Sequence, residues 1–443
     1  MTSEAHAKEA FVWVWLPGAT TPVVAGRLAD YDGQLQFNYG KSYLDLPKAI
    51  ALYGPELPLK AGRLPLHKDL CIPGCLRDAV PDAWGRRVLS LHKPEMKSAR
   101  SALVPHEILG YLLESGSDRS GALDFQPSSS EYRPRLPRNF SLEELQSAAT
   151  NVDQGKSLPA KYEQALRQSS TIGGERPKAL HEESGKKWIA KFTSSSDAFN
   201  LVKAEYIAMR LAAEAGLQVA AVKLKKAADK DVLLVERFDR IKTTEGWQRR
   251  SMVSALTLLE LNDSQAHFAS YEDLAELIRH RFSDAKGTLR ELFGRLVFNI
   301  LCGNTDDSAR NHAAFWDGKG LTLTPAYDLC PQPRDDDVAN QALLITGNDK
   351  RSRLATCLQA AHHFLLSEAE ALALIEQQLQ CLTRNWRVVC DEAELSEPER
   401  TQLWGRVLVN PYVFDELSLA AASLQTLVTP SGNPRKAEQL SFF

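Results

Sequence analysis

An aspartate, an asparagine and a later aspartate stand in the order that phosphoryl-transfer chemistry uses. Asp306 and Asn311 form an Asp-x₄-Asn pair, and Asp328 follows in the segment Pro-Ala-Tyr-Asp-Leu. In a phosphotransferase loop of this kind, the first aspartate lies beside the attacking hydroxyl group, whereas the asparagine and the later aspartate hold Mg²⁺. Asp and Asn are also common in ordinary loops. The pattern therefore indicates a kinase only if other parts of a kinase precede this loop in order.

A glycine-rich segment and a strand lysine precede the loop. Residues 169–178 read S-S-T-I-G-G-E-R-P-K, and paired glycines let backbone N–H groups surround phosphate oxygens because no Cβ obstructs them. Lys191 lies in the apolar run W-I-A-K-F, and Glu205 lies in the next predicted helix. In kinases such a lysine contacts the α- and β-phosphates of ATP, and such a glutamate fixes the lysine. Taken alone, an ordinary turn and a solvated strand end remain the alternatives.

The segment V-E-R-F-D-R (235–240) directly follows a predicted apolar strand. In a two-lobed kinase the hinge lies at this point, and its backbone groups and an aromatic ring contact adenine. The alternative is a charged strand end with Phe238 in the core. Because all six features occur in kinase order, which chance rarely produces, the sequence predicts an ATP-dependent phosphotransferase.

Composition and charge limit the class of protein. The chain has 443 residues, of which 44% are hydrophobic and 25% charged, and a formal net charge of -3. These values predict a soluble globular protein of two or three domains that does not bind nucleic acid over its whole surface. Seven cysteines, an odd number, predict free thiols. The apolar run at 11–16 is too short for a signal peptide, and no run approaches the ~18 residues that span a bilayer, so we expect a cytoplasmic protein.

The predicted elements divide the chain into three regions and a linker. Residues 1–125 predict an N-terminal β-rich subdomain, 126–137 a linker with three prolines and three serines, 138–250 a kinase N-lobe, and 251–443 a helical C-lobe. The predicted strands of the first two regions are 12–16, 23–28, 35–39, a strand at Ile189, 219–224 and 232–235. The predicted helices there are 82–91, 106–113 and 201–215.

The third region shows helical periodicity. Apolar residues repeat at i, i+3, i+4 and i+7 over 289–301, so one face of that helix must be buried. Ser270 followed by Asp273 predicts the start of another helix. Residues 366–425 predict a helical bundle. The helix at 201–215 is expected to end at Gly216, which suits the left-handed position after a helix.

The motifs together resemble the HipA family, kinase toxins of type II toxin–antitoxin systems, over nearly the whole chain. The matching motifs are V-P-D-A-W-G-R-R (80–87), S-D-R-S-G-A-L (117–123), S-T-I-G-G-E-R-P-K-A (170–179), W-I-A-K-F (188–192), V-E-R-F-D-R (235–240), N-T-D-D-S-A-R-N-H (304–312) and L-T-P-A-Y-D-L (323–329). The resemblance implies an α+β, two-lobed protein-kinase-like (HipA-like) fold with an N-terminal β-rich subdomain and a helical C-terminal lobe.

The resemblance also implies roles for single residues. Asp306 is expected to be the catalytic base, with Asn311 and Asp328 as Mg²⁺ ligands. The residues expected to bind ATP are Ile172, Gly173, Gly174, Glu175, Arg176, Pro177, Lys191, Glu205, Glu236, Arg237 and Phe238. Family members phosphorylate a serine in the glycine-rich segment, and the matching residue is Ser170, with Ser169 and Thr171 as neighbouring alternatives. A phosphate there is expected to expel the segment and stop ATP binding.

The catalytic loop departs from the family pattern at one position. Ser308 stands where the loop usually carries His, and loss of a loop-ordering hydrogen bond is expected to weaken catalysis without abolishing it. Asp307 is a second candidate for the base, although the Asp-x₄-Asn register favours Asp306.

The family implies partners, and two other functions compete with a toxin kinase. A protein substrate is expected, and in better-known relatives this substrate is an aminoacyl-tRNA synthetase. A helix-turn-helix antitoxin of the HipB type is also expected, and the protein would contact DNA only through this antitoxin. No membrane is expected. The first alternative is a small-molecule kinase, which would not label proteins in lysates. The second is a non-catalytic corepressor, which would gain nothing from keeping Lys191, Asp306, Asn311 and Asp328 together.

Overall fold

The structure is a computed structural model that describes residues 7–67, 69–93, 96, 103–136, 140–156, 158–334, 338–419 and 421–428. The chain forms two compact units. The first unit comprises Met1–Asp197, Lys223–Ala266 and His312–Thr324; the second comprises Ala198–Val222, His267–Asn311 and Pro325–Phe443. Strands and helices are mixed, which confirms the α+β class. The boundaries at 125, 137 and 250 stay predictions, and residue 137 lies outside the described residues.

The first unit begins with a four-stranded antiparallel sheet of order β3-β2-β1-β4. In β3, Leu35, Phe37 and Tyr39 are buried and their neighbours are not, so the predicted alternation is confirmed. The strands are β1 (Glu9–Val14), β2 (Val23–Tyr31), β3 (Gln34–Tyr39) and β4 (Leu123–Gln126). The helices of this part are α1 (Lys41–Leu44), α2 (Gly74–Arg77), α3 (Ala83–His92) and α4 (Pro105–Glu114).

A second four-stranded sheet of the first unit, of order β5-β6-β8-β7, carries the glycine-rich segment at its edge. Its core contains Trp84 of α3, Leu145, Leu166, Trp188 and Phe192, all nearly inaccessible to solvent. The apolar sides of three helices are therefore buried on this sheet. The helices and strands are α5 (Leu142–Asp153), α6 (Ala160–Ser169), β5 (Lys178–Glu183), β6 (Lys186–Phe192), β7 (Val222–Ala227) and β8 (Lys230–Glu236), with α7 (Leu201–Glu214) between β6 and β7 in the second unit.

The rest of the first unit is made of short strands. A hairpin joins β9 and β10, and a three-stranded sheet has the order β11-β12-β13. The prediction that the chain is helical from residue 251 onward was wrong here, because strands of three or four residues are too short to show a period. The elements are β9 (Arg240–Thr243), β10 (Gly246–Arg249), β11 (Met252–Ser254), α8 (Ala255–Leu258), β12 (Ala313–Trp316) and β13 (Leu321–Leu323), with a 3₁₀ turn at Asp263–Phe268.

A buried cluster of charged side chains joins the end of β8 to the loop before β4. Asp118 accepts hydrogen bonds from Arg237 Nη1 at 2.9 Å, Arg240 Nη2 at 2.9 Å and Lys187 Nζ at 2.5 Å. Asp239 accepts from Arg237 Nη2 at 2.8 Å and from Arg240 Nη1 at 2.7 Å. Asp118, Arg237, Asp239 and Arg240 are each at most 7% exposed. We call these four residues, together with Lys187, the buried charge cluster.

The buried charge cluster predicts a loss of stability in acid. Burial alone would raise the pKa of Asp239, but Arg237 and Arg240 outweigh burial and lower the pKa to about 2. The pKa of Asp118 is lowered for the same reason. Because the unfolded pKa of Asp is about 3.9, the stabilisation is complete above pH ~4 and is lost as the pH falls toward ~2. Urea unfolding at pH 7, 5, 4 and 3 should show this decrease.

Two variants separate this effect from general acid sensitivity. The Asp239→Ala protein should show a shallower decrease between pH 5 and 3, since one depressed carboxyl group is gone. The Glu131→Gln protein should keep the wild-type slope, because the Glu131–Arg133 pair is 58% and 78% exposed and such pairs contribute little. A wild-type unfolding free energy that is equal at pH 5 and pH 3 would contradict the prediction.

The second unit is mainly helical. The long helix α10 is buried along most of its length, as its apolar repeat predicts. Ser270 begins α9, and its Oγ accepts the N–H of Asp273 at 2.9 Å; α7 is followed by Gly216 with φ of +87°. The predicted helix start at Ser270 and the predicted helix end at Gly216 are both confirmed. The helices are α9 (Tyr271–Arg281), α10 (Ala285–Cys302), α11 (Leu354–Ala360), α12 (Glu368–Glu392) and α13 (Glu397–Leu403), with 3₁₀ turns at Ala361–Phe364, Pro411–Phe414 and Ala422–Val428.

Two further sequence predictions have mixed outcomes. The bundle predicted for 366–425 is wrong, since α12 is followed only by α13 and short 3₁₀ turns. All seven cysteines are free thiols, as predicted. Over the described part of the chain, no helix combines the length and the apolar character needed to cross a membrane.

Candidate phosphoryl-transfer site

The candidate site begins where α10 ends, at Gly303. This residue has φ of +74°, and a Cβ on it would lie 2.5 Å from the backbone oxygen of Val407. Glycine is therefore required, and its left-handed conformation turns the chain out of the helix. The loop that carries Asp306 and Asn311 follows at once, so a deeply buried helix sets its position.

The first residues of the loop are fixed by hydrogen bonds within the second unit. Asn304 Nδ2 donates to Asn299 Oδ1 in α10 at 2.9 Å. The N–H of Ala342 donates to the backbone oxygen of Thr305 at 3.0 Å. The loop is thus held from the helix before it and from a later segment of the chain.

The structure distinguishes the two neighbouring aspartates. Asp306 is exposed, whereas Asp307 is only 2% exposed and accepts a hydrogen bond from the Tyr271 hydroxyl group. That hydroxyl group in turn accepts a hydrogen bond from Asn299 Nδ2 at 3.3 Å. Burial first, and then the nearby Asp307 carboxylate, raise the pKa of Tyr271, so the hydroxyl group stays protonated and can donate. Of the two aspartates, Asp306 is the one that solvent and a substrate can reach.

The side chains of Asn311 and Asp328 lie next to each other. Asn311 Nδ2 donates to Asp328 Oδ2 at 2.7 Å. Asn311 Oδ1 accepts two hydrogen bonds from Ser308, one from its N–H at 3.0 Å and one from its Oγ at 2.7 Å. Ser308, which stands where the family has His, therefore orders this loop itself by fixing the Asn311 amide.

Asp328 is positioned by the segment that follows α7. The N–H of Ala326 donates to Gln218 O at 2.7 Å, and the N–H of Ala220 donates to Ala326 O at 2.9 Å. Asp328 itself has φ of +61°, a left-handed conformation that is uncommon for residues other than glycine. Such backbone strain persists only where the surroundings impose it, and it is frequent at functional sites.

The Asn311–Asp328 pair fits the oxygen chemistry of Mg²⁺. This ion commonly binds one or two carboxylates and completes its octahedron with phosphate oxygens and water. Within the described ranges, no group of three or more His, Cys, Asp or Glu side chains is placed to hold a metal ion, but a site completed by phosphates does not need one. Both lone pairs of Asn311 Oδ1 face Ser308 donors, so metal binding by Asn311 requires the amide to release one of these hydrogen bonds.

Residues 172–177, the part of the glycine-rich segment that is expected to bind ATP, lead directly into β5 of the first unit. Lys178, the first residue of β5, is the register partner of Lys191 in β6, so the end of the segment lies beside the predicted phosphate-binding lysine. Ile172 and Pro177 are buried, whereas Gly173 and Glu175 are exposed. Arg176 Nη2 donates to Asp197 Oδ2 at 2.5 Å. The structure thus brings the segment and Lys191 together.

Two other predicted site residues, Glu205 and Ser170, lie outside the strand pair β5–β6, and both are buried. Glu205 is in α7 of the second unit and is 3% exposed; its pairing with Lys191 stays a prediction. Ser170 is the residue after α6, is fully buried, and donates from its Oγ to Arg167 O at 2.6 Å.

The predicted adenine-binding segment needs one correction. The Arg237 guanidinium group is buried against Asp118 and Asp239, and the Arg237 N–H donates to Lys187 O at 2.9 Å. Arg237 therefore cannot offer its side chain or its N–H to ATP. Glu236 pairs with Lys186 at 2.7 Å. The Phe238 ring meets Phe315 edge to face at 5.9 Å but is only half-buried, so the adenine contact and the core position both stay open for this ring.

Sequence reasoning missed several residues that shape the site. Tyr271 donates to Asp307 but carries no spacing signal of its own. Ser308 was noted only as a departure from the family pattern, yet it fixes Asn311. Asp82 contacts the glycine-rich segment, and Asp118 anchors Arg237. Asp82 and Asp118 lie in two motifs that the family resemblance had singled out, V-P-D-A-W-G-R-R and S-D-R-S-G-A-L. No role had been assigned to either motif, so an acidic residue inside each of them was the signal that could have been used.

The Tyr271 hydroxyl group predicts a measurable share of stability. In the Tyr271→Phe protein, the buried Asp307 carboxylate loses a donor, which should lower the free energy of unfolding by about 1.5–3 kcal/mol. Urea unfolding followed by tryptophan fluorescence measures this loss. Tyr206→Phe is the matched control, because Tyr206 donates at 3.2 Å to Glu392, which is 35% exposed and can be solvated instead. An equal loss in both variants would contradict the role given to Tyr271.

Comparisons with known proteins show that this chain is similar to HipA-like proteins. The HipA-like C-terminal domain family matches residues 170–386, a range that includes the glycine-rich segment, Lys191, Asp306, Asn311 and Asp328. The Shewanella oneidensis serine/threonine-protein kinase toxin HipA is 27% identical over 251 residues, or 51% of this chain and 57% of that protein. The Sinorhizobium fredii protein Y4mE, provisionally named a kinase, is 29% identical over 174 residues, or 38% of this chain and 39% of that protein. The matched stretches thus span about half the length of these relatives.

The fold comparison covers nearly the whole chain. The HipA chain in the Shewanella oneidensis MR-1 complex of HipA, HipB and operator DNA matches with a TM-score of 0.63, covering 95% of this chain and 96% of that chain at 18% identity. At such low identity the match shows the fold alone. It confirms the prediction of a HipA-like, two-lobed protein-kinase-like fold.

Proposed function

Because this chain belongs to the HipA family, we propose that it is an ATP- and Mg²⁺-dependent serine/threonine protein kinase and the toxin component of a HipA-type toxin–antitoxin module. It transfers the γ-phosphoryl group of ATP to a protein and to its own Ser170. Phosphorylation of the protein target inhibits translation and growth.

One observation carries this proposal. Asn311 Nδ2 lies 2.7 Å from Asp328 Oδ2, and the exposed Asp306 precedes them in the same ordered loop. In a kinase catalytic loop, an amide and a carboxylate hold the metal ion, and a second carboxylate accepts the proton of the substrate. The adjacent Asn311 and Asp328 and the exposed Asp306 match these roles. A protein without catalytic activity has no evident need for the strained backbone of Asp328.

Each residue of the loop has a distinct role in the proposal. Asp306 accepts the proton of the substrate hydroxyl group as the oxygen–phosphorus bond forms and ADP leaves. Asn311 and Asp328 hold Mg²⁺, which when bound neutralises charge on the β- and γ-phosphates. Ser308 limits the freedom of the Asn311 amide and so keeps its oxygen near the site.

The nucleotide contacts come from the glycine-rich segment, β6 and β8. Lys191 contacts the phosphates, and the backbone of residues 172–177 covers them. Glu205 fixes Lys191. Glu236 and Phe238 remain the proposed adenine contacts, with Phe238 the weaker of the two because its ring packs on Phe315.

The partners follow from the relatives. The structurally similar Shewanella chain is in a complex with HipB and operator DNA, and we extend this by proposing a helix-turn-helix antitoxin of the HipB type that brings the protein to DNA. We propose a protein substrate, with an aminoacyl-tRNA synthetase as the first candidate, and a cytoplasmic location.

The test is a labelling experiment with the full chain. Purified protein is incubated with ATP labelled at the γ-phosphate and Mg²⁺ in a bacterial lysate, and labelled proteins are identified by mass spectrometry. We expect label on one or few proteins at Ser or Thr and on Ser170. Label on small molecules alone would favour a small-molecule kinase. No label, together with HipB-dependent DNA binding, would favour a corepressor and reject the kinase proposal.

A further inference from the structure

The helix α7, which carries Glu205, is built into the second unit, although β6, the strand before it, belongs to the first. Most residues of α7 are buried, and Glu205 is only 3% exposed. A helix that is buried nearly all round takes its position from the elements that pack against it. The side chains that hold α7 therefore also decide where the Glu205 carboxylate lies.

The carboxylate of Glu392, at the end of α12, holds α7 through two of its side chains. Arg210 donates from Nε to Glu392 Oε2 at 3.0 Å and from Nη2 to Glu392 Oε1 at 3.3 Å. The Tyr206 hydroxyl group donates to Glu392 Oε2 at 3.2 Å. The hydrogen bonds from Arg210 lower the pKa of Glu392, so this group is ionised at neutral pH and can accept all three. A bidentate arginine–carboxylate pair is stronger and more directional than an ordinary surface ion pair.

A lysine near the start of α7 is held at the same end of α12. Lys203 Nζ donates to Glu394 O at 3.0 Å, and Lys203 is only 8% exposed. Glu394 has φ of +50°, the left-handed conformation in which helices commonly end. The helix dipole favours a cation at such an end. Residues 203, 206 and 210 are three and four positions apart, so they share one face of α7 and that face is fixed along most of the helix.

The segment after α7 links this helix to the proposed metal ligand Asp328. The N–H of Gln218 donates to Glu291 Oε1 in α10 at 3.1 Å. Gln218 O accepts hydrogen bonds from Arg295 Nη2 at 3.2 Å and from the Ala326 N–H at 2.7 Å. Ala326 is two residues before Asp328. These bonds join α7, α10 and the Asp328 segment within the second unit.

We propose that Glu392 is a positioning residue, which fixes α7 to the end of α12 and so sets Glu205 in place for phosphoryl transfer. Glu392 acts through α7 and not on the reacting atoms. The task of Glu205 itself rests on the proposed function, in which this residue fixes Lys191. In kinases the position of the helix that carries such a glutamate controls activity. Here that helix is held in the unit that also carries Asp306.

Hydrogen–deuterium exchange of the full chain without nucleotide tests the attachment of α7 independently of activity. In the Glu392→Ala protein, the amides of residues 203–214 should exchange about fivefold faster than in the wild type, because the bonds from Arg210 and Tyr206 are lost. The amides of α9 should keep their wild-type rates. Unchanged exchange in α7, or equal acceleration in α7 and α9, overturns the proposal.

Two further variants make the exchange result specific. Glu214→Gln is the matched control, because Glu214 pairs with the same Arg210 at 3.5 Å but lies within α7; its exchange should match the wild type. Arg210→Lys keeps the positive charge but loses the planar fork that binds both oxygens of Glu392. This variant should therefore accelerate exchange in α7 as Glu392→Ala does.

A double-mutant cycle tests whether Glu392 acts through Glu205. Initial rates of phosphoryl transfer at varied ATP give kcat/KM for the wild type, Glu392→Ala, Glu205→Gln and the double variant. We expect Glu392→Ala to lower kcat/KM about fivefold when Glu205 is present and less than about twofold once Glu205 is replaced, because residues that act together are not additive. An equal loss in both backgrounds indicates a merely structural role and overturns the proposal. A wild-type protein that transfers no phosphate rejects the proposed function alone, and the exchange result then decides whether Glu392 fixes α7.

Discussion

Replacing Asp306 by alanine is expected to lower phosphoryl transfer by about 10²- to 10⁴-fold while the protein stays folded. The expected factor is that of a general base lost from a hydroxyl group. Asp306 is exposed, so its removal creates no buried cavity. The measurement is the initial rate of label transfer from ATP to protein, with circular dichroism and the melting temperature as checks on folding.

Two other aspartates serve as controls for that result. Asp317→Ala removes a carboxylate that accepts two backbone N–H groups in a turn of the first unit, and its transfer rate should match the wild type. Asp307→Ala removes the buried partner of Tyr271, so stability should fall as well as rate. A folded Asp306→Ala protein that transfers phosphate at the wild-type rate would rule out Asp306 as the base.

The Asp118→Asn variant is expected to lose about 3–5 kcal/mol of unfolding free energy, the second-largest effect. The Asp118 carboxylate accepts from Lys187, Arg237 and Arg240 inside the first unit. Removing one partner of a buried ion pair leaves the other charges uncompensated, which costs about 3–5 kcal/mol. Since whole proteins are stable by only about 5–15 kcal/mol, urea unfolding should detect the change easily.

A neighbouring lysine supplies the control for the buried charge cluster. Lys186 forms an exposed pair with Glu236, with side chains 54% and 28% exposed, and such pairs contribute about 0–1 kcal/mol. Lys186→Ala should therefore unfold at nearly the wild-type urea concentration. If Asp118→Asn is no less stable than Lys186→Ala, the buried charge cluster does not have the structural role assigned to it.

The parts of the fold that a sequence can predict are those with a local period or a local stop. The apolar repeat of 289–301 predicted a buried helix, and α10 spans it. Alternation at Leu35, Phe37 and Tyr39 predicted a strand with one buried face, which β3 confirms. Each pattern lies within a single helix or strand, so it can be recognised without knowing which other segments pack against that element.

Long-range partners account for what the sequence could not predict. Arg237 lies in a motif with the position of a kinase hinge, but its side chain binds Asp118, 119 residues earlier in the chain. Nothing in V-E-R-F-D-R reports that contact. Likewise, the exposure of Asp306 and the burial of Asp307 depend on Tyr271 in another helix. Motif spacing gave the order of the residues, whereas their individual tasks depend on which side chains fold against them.

Binding of ATP to the Asp306→Ala protein, measured by calorimetry with Mg²⁺ and then with EDTA, tests the central assignment most directly, because this variant binds nucleotide without consuming it. We predict binding in Mg²⁺ that weakens at least about tenfold both in EDTA and when Asp328→Ala is added, as expected for loss of a metal-mediated contact to phosphate. Binding that is equally strong in all three conditions, or absent in all of them, would contradict a nucleotide site built on Asn311 and Asp328.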